Sequence, residues 1–298
     1  MHNRKGPIMV KTKKVLQKNF QLPRITQKTF VISALLAYVS NVLFWTTMWA
    51  SVYPNGGRLS QFSVLAVGEV MMPILFFSIA YLINAHEPTR LSRVFKASML
   101  AGMGLLIQVY IGVMYYWYIL DVNYGYNEFT SSYWFMIVMA SVALVCFALL
   151  AIFTRTRLRV AHTQLFQIAF LLLAGGAYII TASMRLTETV DLLLKTRDAS
   201  TLLQHPHMLQ QVVLPLIVFG VAYYVLRRVS SKFNHVYIAA VYAFIGVIVS
   251  NAIYSISVFS ARLGASSALQ NIDHFAIAPW VALLFSLGLI VWHRRYKK

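Results

Sequence analysis

Apolar residues run along this chain in long unbroken blocks. They form neither the 3.6-residue stripe of a surface helix nor the alternation of a half-buried strand. Eight blocks stand out, near 29–50, 62–84, 94–120, 132–153, 162–182, 208–226, 236–260 and 275–293. Each is close to the roughly 20 residues that a helix needs to cross a bilayer's hydrocarbon core. Helices are the expected solution, because every backbone N–H and C=O in lipid must be satisfied within its own segment. The first block is longer than a signal-peptide core and has no small-residue cleavage pattern after it, so it reads as retained. The third is overlong and ends in Tyr115, Tyr116, Trp117 and Tyr118, aromatics that anchor at an interface. The predicted fold class is an all-α integral membrane protein with eight transmembrane helices.

Composition narrows the picture. Of 298 residues 59% are hydrophobic and 11% charged, against about 25% charged in a soluble chain. A soluble enzyme, a disordered tail, a coiled coil and a nucleic-acid-binding domain are thereby excluded. The net charge of +18 belongs to the flanks: eight of the 26 Lys and Arg precede residue 29, and Arg294, Arg295, Lys297 and Lys298 close the chain. With the N-terminus inside, 21 of the 26 basic residues fall on inner segments, and six of the eight acids fall on outer loops. The positive-inside rule then puts both termini in the cytoplasm. A bacterial cytoplasmic membrane is the expected location and its lipid bilayer the expected partner, with no nucleic acid; a membrane complex or a homo-oligomer would complete the bundle. The single Cys146 lies in an apolar run, which rules out an intrachain disulfide and a Cys-based zinc or iron–sulfur site held by this chain alone.

An internal repeat is visible at an offset of 142. Val70-Met-Met-Pro73-Ile-Leu-Phe-Phe77-Ser-Ile-Ala80-Tyr81 matches Val212-Val-Leu-Pro215-Leu-Ile-Val-Phe219-Gly-Val-Ala222-Tyr223, and Gly104 falls on Gly246. The simplest organisation is a basic N-terminal segment (1–28) followed by two tandem four-helix units, 29–159 and 160–298.

Few residues can carry chemistry. His2 and His293 are terminal, and His86, His162 and His235 sit at cytoplasmic edges, where solvated or interfacial side chains are expected. His205 and His207 precede the sixth block and His274 precedes the eighth. Both blocks run from outside to inside, so these histidines share one depth. Two imidazoles at matched depth on facing helices suit an axially ligated haem in a bundle core; the alternative is ordinary histidines at helix starts. Glu69 is the one acid inside a block, either a proton or ion group or a protonated, hydrogen-bonded carboxyl. Asn41, Gln108, Gln164, Gln167, Gln211 and Asn251 read as interhelical hydrogen-bond partners. In the 183–206 loop, Val190, Leu193 and Leu194 recur at helical spacing, which predicts an amphipathic helix lying on the outer interface, the alternative being a plain surface connector.

The layout of eight spans in two halves, with histidines opening the sixth and eighth, resembles the haem A synthase family. Gln108-Val-Tyr-Ile-Gly112 resembles its Gln-x-x-x-Gly pattern, and Asp273-His274-Phe275 its eighth-span histidine; His207, or else His205, takes the place of its sixth-span histidine. The resemblance implies haem b held between His207 and His274, in a membrane oxidoreductase or a non-synthase relative. The N-terminal half departs from the family. Leu65 stands where a histidine is expected, the fourth block opens Ser131-Ser132-Tyr133-Trp134, and paired outer-loop cysteines are missing. Haem binding without haem A synthesis is the implied function. The competing expectations are a small transporter or channel that uses Glu69 as its coupling group, and a non-catalytic subunit of a membrane complex.

Overall fold

The computed structural model describes residues 22–52, 70–122, 133–155, 161–196, 208–226, 232–262 and 274–295. Among the described residues all regular structure is helical: α1 Arg24–Val52, α2 Met72–Ile83, α3 Arg90–Val122, α4 Tyr133–Arg155, α5 Ala161–Thr196, α6 Leu214–Leu226, α7 Lys232–Arg262 and α8 His274–Arg295. Among the described residues, four segments are long and apolar enough to cross a membrane: Arg24–Phe44, Gln164–Lys195, Phe233–Ser257 and Ile277–Arg295. Met72–Ile83, Ala140–Ile152 and Gln210–Leu226 are shorter apolar helices. Leu35, Leu82, Leu172 and Leu284 lie on the outside of the bundle, the side on which a membrane protein meets lipid.

Two prolines shape α2 and α6. A proline inside a helix removes an N–H donor and crowds the preceding turn. The chain relaxes into a π-turn at Val70–Met71 before Pro73, and into another at Leu209–Val213 before Pro215. A tyrosine from the first helix of each half supplies a donor to each loosened turn. Tyr38 donates to the Val70 carbonyl at 3.1 Å and Tyr178 to the Val212 carbonyl at 3.2 Å. The two carbonyls stand at the repeat offset.

The same offset runs through the packing. Phe76 and Val218, Ala80 and Ala222, Ala97 and Ala239, Met99 and Val241, and Met103 and Ile245 are buried at equivalent positions. Phe77 stacks on Tyr81 at 5.9 Å as Phe219 stacks on Tyr223 at 6.2 Å. Arg93 lies 3.7 Å over the Tyr81 ring, and its counterpart His235 meets Tyr223 edge-on at 6.3 Å. Gly102 and Phe244 are equivalent positions as well, and a Cβ on Gly102 would lie 3.2 Å from the Phe244 ring. Equivalent positions touch one another only beside the axis that relates them, so that axis passes between α3 and α7. Phe244 fills the space there, ringed by Phe30 at 6.1 Å and Phe170 at 5.7 Å.

Two expectations need correcting. The stretch 187–195 is helical, but it is no separate interfacial helix: α5 continues unbroken to Thr196. Its 36 residues span about 54 Å. No Gly or Pro interrupts 177–196, and the turn is tied locally by Thr187 to the Ser183 carbonyl, Thr189 to the Arg185 carbonyl, and Lys195 to Asp191. His235 and His293, expected to be solvated, are buried inside the bundle at 6% and 1% exposure. Their basic sequence neighbours mark the edge of an apolar block, but side-chain direction is set by the helix face. His86 remains exposed, as expected.

The turn between α2 and α3 has its own ion pair. Glu87 accepts hydrogen bonds from Ser92 at 2.6 Å and from Lys96. Burial pushes the Glu87 carboxyl up, but the bonds from Lys96 and Ser92 and the Lys96 charge outweigh it and hold the group below its ordinary 4.5. A depressed carboxylate stabilises the fold above its unfolded value and loses that contribution as the pH falls through the folded one. Glu87→Gln should therefore unfold at a lower temperature than wild type at neutral pH. The gap should narrow below pH 4.5 and close in stronger acid, as read by thermal unfolding in detergent; a gap that does not vary with pH would contradict this.

Candidate functional site

At the end of the bundle where α6 and α8 begin, polar side chains from three elements meet around the π-turn Leu209–Val213. Tyr178 and Arg185 lie seven residues apart on α5, hence on one face. Both reach this turn, Tyr178 at the Val212 carbonyl and Arg185 through Nε to Gln211 Oε1 at 2.7 Å. Thr189, 1% exposed, continues the same face. From the other side Gln210, 4% exposed, donates through Nε2 to Asn251 Oδ1 on α7. The turn is thus held by α5 at two points and by α7 at one, and it also packs against α8. Gln211 and Asn251 are interhelical hydrogen-bond partners, as their place in apolar blocks predicts.

Of the predicted site residues, only His205 and His207 adjoin this turn in sequence. His274 is the first residue of α8. His205 and His207 lie outside the described residues, immediately before Met208 and four residues before Gln211 in the case of His207. Glu69 also lies outside them, one residue before the Val70 carbonyl that Tyr38 holds. Among the described residues no three His, Cys, Asp or Glu side chains gather as a multi-ligand metal site requires. Cys146 is exposed and unbonded.

The other end of the bundle holds a buried cluster. Tyr242 Oη of α7 lies 3.0 Å from Thr26 Oγ1 of α1 and 2.6 Å from His293 Nδ1 of α8. Deeper in the bundle, Gln108 Oε1 and Ser250 Oγ stand at the repeat offset, and Ser286 Oγ faces Gly246; these three buried oxygens have no hydrogen-bond partner among the described residues.

Sequence reasoning missed Arg185, Gln210, Thr26, Tyr178 and Tyr242. Arg185 was readable only as an outer-loop charge, because an apolar block says where hydrophobicity stops and not where a helix stops. The two tyrosines facing the proline turns carried a signal: Tyr38 and Tyr178 are 140 apart, close to the repeat offset. Compared with known protein families, curated proteins and solved structures, the chain matches none of them.

Proposed function

We propose that this protein is a multi-pass membrane protein of haem A synthase type that binds haem b in its second half, between His207 and His274, without being a haem A synthase. Eight spans, two tandem units at 29–159 and 160–298 with both termini cytoplasmic, and a bacterial cytoplasmic membrane belong to this reading. The observation that carries it is the seam itself. The turn that follows His207 is fixed to α5 and α7 by buried amides and a guanidinium, and it packs on the helix that His274 opens. The chemistry of the donor set fits the group: two imidazoles suit the iron. When bound, the haem supplies one-electron redox chemistry. This chain's own residues orient and enclose it: Tyr178 and Gln210 fix the turn, and the apolar faces of α6 and α8 exclude water.

The test is an optical spectrum of the protein purified in detergent and supplied with haem, oxidised and then dithionite-reduced. A sharp reduced α-band lost in both His207→Ala and His274→Ala supports bis-histidine ligation. Protein that stays colourless with excess haem sinks it; if only His205→Ala removes the band, the ligand is His205.

One observation favours a second reading, a small transporter or channel. The paired proline turns, each held by one tyrosine hydroxyl, are places where two repeated units could bend, and Glu69 adjoins one of them. On that reading Glu69→Gln abolishes transport in vesicles and no cofactor is present.

A further inference from the structure

We infer that the first turn of α1 and the last turn of α8 form a binding site for an anionic phospholipid, its phosphate held by Arg24, Lys28, Arg294 and Arg295. This inference needs a bundle that spans a membrane, but not the haem. The two turns stand side by side, because Thr26 and His293 both reach the Tyr242 hydroxyl on α7. Thr26 and His293 are buried, which turns the cations beside them outward. Arg24 and Lys28 each lie two residues from Thr26, about 200° around the helix, and Arg295 stands likewise to His293. All four cations are exposed. Each helix also carries an apolar stripe below its cations. On α1, Ile32, Leu35 and Val39 follow Lys28 at helical spacing, and on α8, Leu284, Val291 and Trp292 lead up to Arg295; all six are exposed. A phospholipid has the same order, apolar chain and then anionic head, and tryptophan is a side chain that seats at that boundary. No acidic side chain competes for these cations. Phe30 packs on Phe95 and Phe170 on Tyr237, so the starts of α1, α3, α5 and α7 share this end of the bundle. Of the eight acids only Glu87, in the turn leading into α3, lies at this end, and Lys96 and Ser92 already hold it. The other seven lie at or beside the opposite helix ends along the chain. Exposed cations also attract soluble anions, but the apolar stripes favour a phosphate that brings its acyl chains.

The test uses the full chain, purified in an uncharged detergent and titrated with phosphatidylglycerol or phosphatidylcholine, with bound lipid counted by native mass spectrometry. Wild type should bind phosphatidylglycerol about tenfold or more tighter than phosphatidylcholine. Combining Arg24→Gln, Lys28→Gln, Arg294→Gln and Arg295→Gln should bring the two lipids to equal affinity and leave phosphatidylcholine binding as it was. Combining Arg90→Gln, Arg155→Gln, Arg157→Gln and Arg159→Gln removes the same charge from the same end and should keep the preference. Equal affinity of wild type for the two lipids would overturn the site. So would a preference that survives the first set of substitutions. A preference lost equally in the second set would mean a diffuse positive field, and would overturn it too. Inorganic phosphate separates a lipid from a soluble anion: if millimolar phosphate at constant ionic strength displaces phosphatidylglycerol, the lipid assignment falls. The wild-type ratio and the phosphate competition need no variant, so a misfolded variant could not mask the outcome.

Discussion

Gly104→Ala is expected to destabilise the protein by about 1–2 kcal/mol, whereas the same change at its repeat counterpart Gly246 is expected to be close to neutral. A Cβ on Gly104 would lie 2.7 Å from Phe76 Cδ2 and 2.9 Å from Phe147 Cδ2. Both rings are fully buried and tilted against each other with centroids 4.6 Å apart. Neither can give way without moving the other, and overpacking of this kind costs about 1–3 kcal/mol. The gain in helix propensity from Gly to Ala, about 1 kcal/mol at most, offsets only part of it. At Gly246 the nearest atoms are Ser286 Oγ at 3.1 Å and Val218 Cγ2 at 3.6 Å. A serine hydroxyl can rotate aside at little cost, so strain and propensity nearly cancel. Thermal unfolding of the two variants in the same detergent checks the difference; equal effects would mean that the Phe76–Phe147 pair is not rigid.

That contrast shows what a repeat in sequence conveys and what it leaves out. Pro73 and Pro215 are legible as equivalent because proline imposes its own local geometry wherever it stands, and both are preceded by a π-turn. Gly104 and Gly246 are legible as positions of close approach, but the severity of each depends on what faces them: two rings in one half, a hydroxyl in the other. The helices themselves were readable because lipid demands a set length of apolar residues and a self-satisfied backbone. Their ends were less so. The α5 helix runs on past its apolar block because nothing between 177 and 196 breaks a helix. It thereby carries Arg185 out of a presumed loop and onto the seam. The histidine pattern at the starts of two apolar blocks is legible in the sequence, but His205 and His207 lie outside the described residues. The amides and the guanidinium of the seam were not legible, since hydropathy weighs residue type and not the face a side chain takes.

The burial of His293 leads to the second large effect. Tyr242→Phe should cost about 1–3 kcal/mol, although it removes a single oxygen. Tyr242 is fully buried, and its hydroxyl stands between Thr26 Oγ1 and His293 Nδ1. Phenylalanine keeps the ring and its packing, so no cavity term enters. The cost is that two buried polar atoms on two other helices each lose this partner in a region with little water to replace it. The three residues come from α1, α7 and α8, so the cluster joins the first half of the chain to the second. Its loss should therefore loosen the contact between halves more than the interior of either. A cycle of Tyr242→Phe, Thr26→Val and the double variant, followed by thermal unfolding, should give non-additive losses, with a coupling of about 0.5–3 kcal/mol. Additive losses would mean that the Thr26–Tyr242 contact is incidental and that His293 alone holds the hydroxyl.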